Sequence, residues 1–341
     1  MKTFIEKLIN KENLTLEEMK RAMNICFESS ITDTEIASFL TALKAKGETA
    51  EEITGIVEVI RSQSNMSSIQ MQNVMDNCGT GGDQSNSFNI STTTAFVLAG
   101  AGVKVAKHGN RSISSKTGSA DVLEHLGISL SFSKDQAEEM LHENNITFLF
   151  APHVHHALKH FMKVRKELGL PTIFNLIGPL TNPIHLETQL LGVYRRDTLT
   201  MMAEALRRLG RKRAIVINGA GYMDEASLSG ENHLVLLENG EITPFTVHPS
   251  ELGLPTYSNE EIRGGNAKEN AQILLNVLNG VPGAYLDTVL LNAGLGLYAN
   301  GKSDTIQDGI ERAKESIFSG AARERLEQLI SYSKNIKSEA I

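Results

Sequence analysis

Three short polar loops between Asp76 and Asp121 carry residue types suited to one task, the capture of a diphosphate. The first, Asp76-Asn77-Cys78-Gly79-Thr80-Gly81-Gly82-Asp83, places three glycines in four positions. Backbone N–H groups can close around an anion there with no side chain in the way. The second, Phe88-Asn89-Ile90-Ser91-Thr92, brings an amide and two hydroxyls to the start of a small, apolar run from Thr93 to Ala101 that reads as a helix. Hydroxyls at the positive end of a helix suit a phosphate. The third, Lys107-His108-Gly109-Asn110-Arg111-Ser112-Ile113-Ser114-Ser115, adds a full positive charge after a short strand at Val103–Ala106. A single glycine-rich turn between strand and helix is structural punctuation more often than a ligand site. Gln84 stands where a dinucleotide fingerprint needs glycine, and none of these loops is a G-x-x-x-x-G-K-[ST] phosphate loop. The three loops together carry the reading.

Other residues have chemistry of their own. Asp224 and Glu225 follow a strand at Ala214–Asn218 and a turn at Gly219-Ala220-Gly221, so both carboxylates can sit at the rim of a sheet. Mg²⁺ is held by one or two carboxylates plus substrate phosphates and water, so two acids suffice. Adjacent acids in a loop are more often solvated surface. Arg165, in Lys163-Val164-Arg165-Lys166, can hold a carboxylate in a two-pronged pair that lysine cannot form; by spacing alone it reads as an exposed helix cation. The patch Pro152-His153-Val154-His155-His156 has no nearby cysteine, which argues against zinc. His108 reads as a positioning residue, and Cys78 as a small buried thiol.

Elements must deliver these loops. The first 64 residues read as helices only: Thr15/Glu18, Thr32/Glu35 and Thr49/Glu52 each match a capping box. Ile36, Phe39, Leu40 and Leu43, then Ile53, Ile56, Val57 and Ile60, repeat at helical spacing. Gly47 ends the first of those two helices. The polar stretch Ser62–Gln72 reads as a connection. Strands at Val74–Asn77, Val103–Ala106, Ile146–Phe150 and Ala214–Asn218 then alternate with helices at Thr92–Ala101, Ala120–Leu126, Asp135–Glu143 and Thr198–Leu209. That alternation predicts an α/β domain with a mainly parallel sheet. Asn239-Gly240 between His233–Glu238 and Ile242–Val247 signals a hairpin. His155–Leu168 reads as helix, and a polar tail begins at about Ser333.

Composition bounds the partners. A chain of 341 residues favours two domains. Its 33 Lys and Arg against 40 Asp and Glu, a formal charge of −7, argue against non-specific nucleic-acid binding. Two cysteines, Cys26 and Cys78, indicate no disulfide framework and suit a reducing cytosol. No apolar stretch approaches a membrane span and no signal core is visible, so a cytoplasmic location is expected.

The three loops closely resemble those of the anthranilate phosphoribosyltransferases. The resemblance continues through Ser114-Ser115-Lys116-Thr117-Gly118-Ser119-Ala120-Asp121, Phe150-Ala151-Pro152, Arg165–Gly169, Thr172–Pro183, Asp224-Glu225 and Gly264-Gly265, nearly the length of the chain. It implies a small helical domain, residues 1–65 joined by helices from about 155–180, beside an α/β domain over 73–341 of the nucleoside phosphorylase type. It implies transfer of the phosphoribosyl group of phosphoribosyl pyrophosphate (PRPP) to the amine of anthranilate, the second step from chorismate to tryptophan. By the same resemblance PRPP is bound by Gly79, Gly82, Asp83, Ser87, Asn89, Ile90, Ser91, Thr92, Lys107, His108, Gly109, Asn110, Arg111, Ser112, Ile113, Ser114, Ser115 and Ser119. Anthranilate is bound by Gly79, Asn110, His155, Arg165, Gly178 and Pro179. Two Mg²⁺ per subunit are expected, with Glu225 touching both, Asp224 one and Ser91 the other, in a homodimer joined through the small domains. No covalent nucleophile is implied. Pyrimidine nucleoside phosphorylases share the fold, but the Arg165 and Asn110 matches disfavour them. A nucleic-acid-binding relative is disfavoured by the acid pair and the net charge. The chain departs from the family at His156, often proline, at Leu170-Pro171, where an arginine is usual, and at Ser87, usually threonine.

Overall fold

The computed structural model describes residues 1–69, 71–111 and 117–339; Ser112, Ile113, Ser114 and Ser115 lie outside them. Four helices come first: α1 (Lys2–Ile9), α2 (Leu16–Cys26), α3 (Asp33–Lys46) and α4 (Ala50–Ser62). All three capping boxes form, with the Glu18, Glu35 and Glu52 N–H groups donating to the threonine hydroxyls at 3.3, 3.2 and 3.2 Å. Each such cap contributes about 1 kcal/mol. Gly47 closes α3 at φ 94°. Glu52 does more than cap: its carboxylate also accepts from Leu14 N–H at 2.9 Å and pairs with buried Lys46 at 2.9 Å, tying three segments together.

The remainder alternates: β1 (Val74–Asp76), α5 (Ile90–Gly100), β2 (Lys104–Gly109), α6 (Ser119–His125), α7 (Lys134–Glu143), β3 (Ile146–Phe150), α8 (Ala151–Val154), α9 (Lys159–Leu168), α10 (Phe174–Ile177), β4 (Thr188–Gly192), α11 (Leu199–Arg208), β5 (Arg213–Asn218), β6 (Asn232–Glu238), β7 (Glu241–Val247), and then α12 (Ala267–Leu278), α13 (Ala284–Asn300), α14 (Ile306–Phe318) and α15 (Ala321–Glu339). The sheet has seven strands in the order β3-β2-β1-β4-β5-β6-β7. The first five are parallel and the β6–β7 hairpin antiparallel. Asn239 and Gly240 take φ 52° and 81°, the type I′ turn their types favour.

Strand alternation splits the core between two faces. Ala214 and Val216 of β5, with Leu191, Val235 and Leu237, pack under α1–α4 and α11. Ile215, Ile217, Leu190 and Leu234 pack against α5 and the late helices α12–α15. Phe161, Val164 and Ile173, from α9 and its approach to α10, join the core of the first four helices, and His160 and Lys163 pair with Asp33 of α3.

Four sequence expectations are corrected. Strand β4 was missing from them, although Leu190-Leu191-Gly192-Val193 is a short apolar run next to a glycine, the ordinary mark of a buried parallel strand. Strand β2 runs on to Gly109, so Lys107 sits inside it rather than after it. His155–Leu168 is not one helix: His155 leaves the helical region at φ −128° and ψ 55°, and its ring packs edge-on against His108 at 5.3 Å. The stretch from Ser333 is not a tail but the last turns of α15, where buried Ser333 accepts from Ser129 N–H at 3.0 Å. A further string, Gly296-Leu297-Tyr298-Ala299-Asn300-Gly301-Lys302-Ser303, fits the letters of a phosphate loop. It runs out of α13 through Gly301, a C-terminal cap at φ 77°, so carbonyls rather than N–H groups face that turn.

Candidate active site

Strands β1, β2 and β3 wind in one direction and β4 and β5 in the other, so the order reverses between β1 and β4. Open parallel sheets place ligands at the strand carboxyl ends beside such a reversal. The first two polar loops, Lys107 from the described start of the third, and the acid pair converge there. The Gly79–Asp83 loop leaves β1 and extends its pairing with β4 through Thr80 N–H, which donates to Gly192 O at 2.9 Å. The Asp224 loop lies against it. A Cβ on Gly79 would come within 2.2 Å of Asp224 Oδ2, and one on Gly192 within 1.5 Å of the Asp224 carbonyl oxygen. Glycine is required at both positions by close approach rather than by backbone conformation.

Three carboxylates meet in this space. Gly81 N–H donates to Asp224 Oδ2 at 2.6 Å, and Asp224 N–H donates to Asp83 Oδ2 at 3.4 Å. Burial, then repulsion from Asp83, pushes the Asp224 carboxyl up to about 7. Burial, then repulsion from Asp224, takes Glu225 up to about 8, against the opposing pull of Lys107 and a hydrogen bond from Ser91. Lys107, buried in β2, donates to Ser91 Oγ at 3.3 Å and Asn77 O at 3.5 Å. One lysine among three acids leaves the site short of positive charge. Among the described residues no set of three or more His, Cys, Asp or Glu is arranged to hold a metal unaided. A hard cation sharing its shell with phosphate oxygens fits this donor set.

Buried amides hold the loops in place. Asp76 accepts from Asn77 N–H at 2.8 Å, His108 N–H at 3.3 Å and Asn182 Nδ2 at 2.9 Å, and Asn182 also donates to Ala106 O at 2.8 Å. Asn270 Nδ2 donates to Asn89 Oδ1 at 2.8 Å, while its own oxygen accepts from Gly265 N–H at 2.7 Å. A Cβ on Gly264 would strike Phe88 Cα at 2.8 Å, so Gly264-Gly265 seats the second loop. Asn292 of α13 exchanges two hydrogen bonds of 2.9 Å with the Ala226 backbone and fixes the acid loop from behind. Asn182, Asn270 and Asn292 were not singled out from sequence. Asn292, an amide in the middle of an apolar helix, is the visible signal.

The other expected PRPP residues are placed as follows. Ser87 bridges to Arg263, Ile90 is buried in the first turn of α5, and Gly82 takes φ 83°. Gly109 fits against Ser119 and Phe148, where a Cβ would come within 2.4 and 2.6 Å. Asn110 O accepts from Ser119 Oγ at 3.2 Å. Thr92 Oγ1 and Asn77 Oδ1 are buried without a protein partner. Arg111 is turned away, held by Asp121 at 2.7 Å and Glu124 at 3.0 Å.

Of the residues expected to bind the acceptor, Arg165 lies on the helical side, while Gly79 and Asn110 follow strands β1 and β2. Half-buried Arg165 stacks on Phe174 with its guanidinium 5.2 Å from the ring centroid and donates to Asn175 Oδ1 at 3.3 Å. Burial lowers its proton affinity, and no carboxylate pairs with it among the described residues. None of these contacts involves Gly79, Asn110 or His155. His155 and His108 are buried ring against ring; burial holds His155 down to about 4 and His108 well below the usual histidine range. Both are neutral near pH 7; the backbone of Thr181 faces the His155 ring and that of Gly178 the His108 ring, each opposing the effect of burial. Pro179 is buried, while a Cβ on Gly178 would meet nothing within 4 Å, so that glycine borders open space. Cys78 is buried, its thiol donating to Asp76 at 3.3 Å and pushed well above its ordinary range by burial, which leaves no thiolate to attack.

Residues 71–323 match the model of the glycosyl transferase family a/b domain, and residues 2–64 that of its helical bundle domain. A helical bundle followed by an α/β domain is the arrangement of that glycosyl transferase family. The anthranilate phosphoribosyltransferase of Listeria monocytogenes is 58% identical over 336 residues, 98% of this chain and 99% of its own. That of Bacillus cereus is 56% identical over 341 residues, the whole of both chains. Among solved structures, the Thermus thermophilus enzyme superposes with a TM-score of 0.92 at 38% identity, covering 97% of this chain and 99% of its own. The Saccharomyces cerevisiae enzyme in complex with PRPP and Mg gives 0.89 at 28% identity, covering 98% and 97%. Within the glycosyl transferase family, this chain belongs to the anthranilate phosphoribosyltransferases.

Proposed function

We propose that this site performs the family's transfer by charge neutralisation and positioning, with no covalent intermediate. The carrying observation is the shortage of positive charge around Asp83, Asp224 and Glu225, beside a glycine loop that carries no side chains of its own at Gly79, Gly81 and Gly82 and meets Asp224 through the Gly81 N–H. Anthranilate's amine attacks C1 of PRPP and pyrophosphate leaves. An aryl amine beside a carboxylate is a modest nucleophile, so breaking the C1–O bond dominates the barrier and positive charge grows on the ribose. Interactions that strengthen on the departing diphosphate therefore accelerate the step. Gly79, Gly82, Asn89, Ile90, Ser91, Thr92, Lys107 and the third loop bind and orient PRPP; Asp224, Glu225 and Ser91 would hold two Mg²⁺ per subunit. Magnesium, when bound, neutralises charge on the leaving pyrophosphate. Arg165 grips the anthranilate carboxylate, with Asn110, His155, Gly178 and Pro179 shaping the pocket. Neutral His108 and His155 donate or accept hydrogen bonds there without adding charge.

The sheet-side and helix-side placement of the two half-sites supports a cleft that closes over both substrates and excludes water from a cationic sugar. A homodimer through the small domains is supported by Ile9 of α1, which is 64% exposed. Two free, buried cysteines support a cytoplasmic location; no described helix is long and apolar enough to cross a membrane. The test is loss of anthranilate fluorescence on mixing with PRPP and Mg²⁺. Turnover that stops with EDTA supports the reading. Phosphorolysis of thymidine with no loss of anthranilate would replace it with a nucleoside phosphorylase.

A further inference from the structure

The chain from Gly178 to Pro183 borders the acceptor side, and one of its grips comes from an unexpected direction. Gln189, on β4 directly opposite Asp76, is fully buried and donates from Nε2 to the Pro179 carbonyl at 2.8 Å. Its Oε1 accepts from Arg211 Nε at 3.1 Å. Arg211 lies between α11 and β5, is 3% exposed, and has no ion pair with a carboxylate among the described residues. Its Nη1 donates to Leu209 O at 3.3 Å, and Nη2 has no partner. Asp76 attracts the guanidinium only at longer range and Arg61 repels it; a buried guanidinium without a directly paired carboxylate is costly, and an apolar residue of similar size is often the more stable choice. What the guanidinium supplies is direction. It can only donate, so the Gln189 amide must turn its oxygen toward Arg211 and its NH₂ toward Pro179. The opposite amide orientation would set two donors face to face and two carbonyls face to face.

We infer that Gln189 and Arg211 are positioning residues for the aromatic acceptor: Arg211 fixes the Gln189 amide, and Gln189 holds the Pro179 carbonyl so that Gly178 and Pro179 keep their place at the pocket wall. This rests on the reading of Gly178-Pro179 as part of the anthranilate site. Gln189 lies opposite Asp76 of the first loop, but its side-chain bonds run to Pro179 and Arg211 and not to that loop, so the effect falls mainly on one substrate. Misplacement of a pocket wall by a fraction of an ångström weakens binding without removing any contact group.

The test is initial-rate kinetics in both substrates for wild type, Gln189→Met, Gln189→Glu and Arg211→Lys, with Arg165→Ala as reference and thermal unfolding recorded for each. Gln189→Met loses both hydrogen bonds. Gln189→Glu keeps and strengthens the contact with Arg211 but has no N–H for Pro179. Both should raise the anthranilate KM by about tenfold, the scale of one lost buried hydrogen bond, and leave the PRPP KM within about twofold. Gln189→Glu should do so while unfolding at a higher temperature than Gln189→Met, a separation a purely structural role would not give. Arg211→Lys keeps the charge, loses the fork, and should raise the anthranilate KM by about threefold. Wild-type KM in Gln189→Glu, or equal shifts for both substrates, would overturn the inference. If Arg165→Ala raises the anthranilate KM and the Gln189 variants do not, this inference alone fails. If Arg165→Ala leaves it unchanged, the acceptor-site reading fails first.

Discussion

The two halves of the proposed site are built from different materials. The diphosphate half is backbone and strand end: Gly79, Gly192 and the Asp224 loop interlock so closely that no side-chain atom could be added at either glycine. The acceptor half hangs on short helices and a stacked side chain, with Arg165 held by Phe174 and Asn175 and by no strand. A leaving diphosphate needs fixed dipoles that do not reorganise as charge develops, and a sheet rim supplies them. An aromatic acid needs one oriented cation and a wall of the right shape, which helices can supply, and which the proposed closure would bring up. The first half is intolerant of change, and the second is where substrate preference can vary.

The largest effect is expected from Gly192→Ala. The Asp224 carbonyl would have to move by more than an ångström, and turnover should fall by about a hundredfold or more. Near-normal turnover of the folded variant would mean that the interlock is packing and nothing else. Asp224→Asn comes next. Weakened Mg²⁺ binding should raise the metal concentration for half-maximal rate by about tenfold or more, and EDTA should abolish activity in wild type. An unchanged metal dependence would move the ion site elsewhere.

Arg165→Ala should raise the anthranilate KM by about ten- to a hundredfold, as expected for a charge-assisted pair. Arg165→Lys should recover little of it, because a point charge lacks the fork. Full recovery in the lysine variant would reduce Arg165 to a diffuse electrostatic role.

Smaller still is a pH effect on stability. Burial depresses His155 to about 4 from an ordinary 6.5, so between those values the unfolded chain binds more protons than the folded one. Stability is full above pH 6.5 and falls as pH drops toward 4. Relative to wild type, His155→Phe should flatten that part of the curve by about 5 °C of unfolding midpoint. Identical slopes would mean that His155 is not buried neutral. Last, Cys78→Ala should keep turnover within about twofold, since no step requires a thiolate; a much larger loss would reopen covalent chemistry.

The diphosphate half was also the half legible in the sequence. Its chemistry lies in contiguous stretches, Gly79–Asp83, Asn89–Thr92 and Lys107–Arg111, where glycine and hydroxyl types speak for themselves. The parts that hold it were not legible. Asn182, Asn270 and Asn292 act across 106, 181 and 66 positions of chain, and a buried amide looks like any other until its partner is known. Strand β4 is masked in the sequence by Thr188-Gln189, two polar residues at its start, both of which are buried and bonded. The acceptor half was readable only through the family resemblance, since Arg165 in a run of basic residues has no local mark of function.

The most direct measurement is a grid of initial rates, followed by anthranilate fluorescence at varied PRPP, anthranilate and Mg²⁺, for wild type, Arg165→Ala and Asp224→Asn. The expected result is a clean division: Arg165→Ala moves the anthranilate KM alone, and Asp224→Asn moves the PRPP and Mg²⁺ dependence alone. If either variant shifted both substrates equally, the site would not be divided into a sheet-built diphosphate half and a helix-built acceptor half.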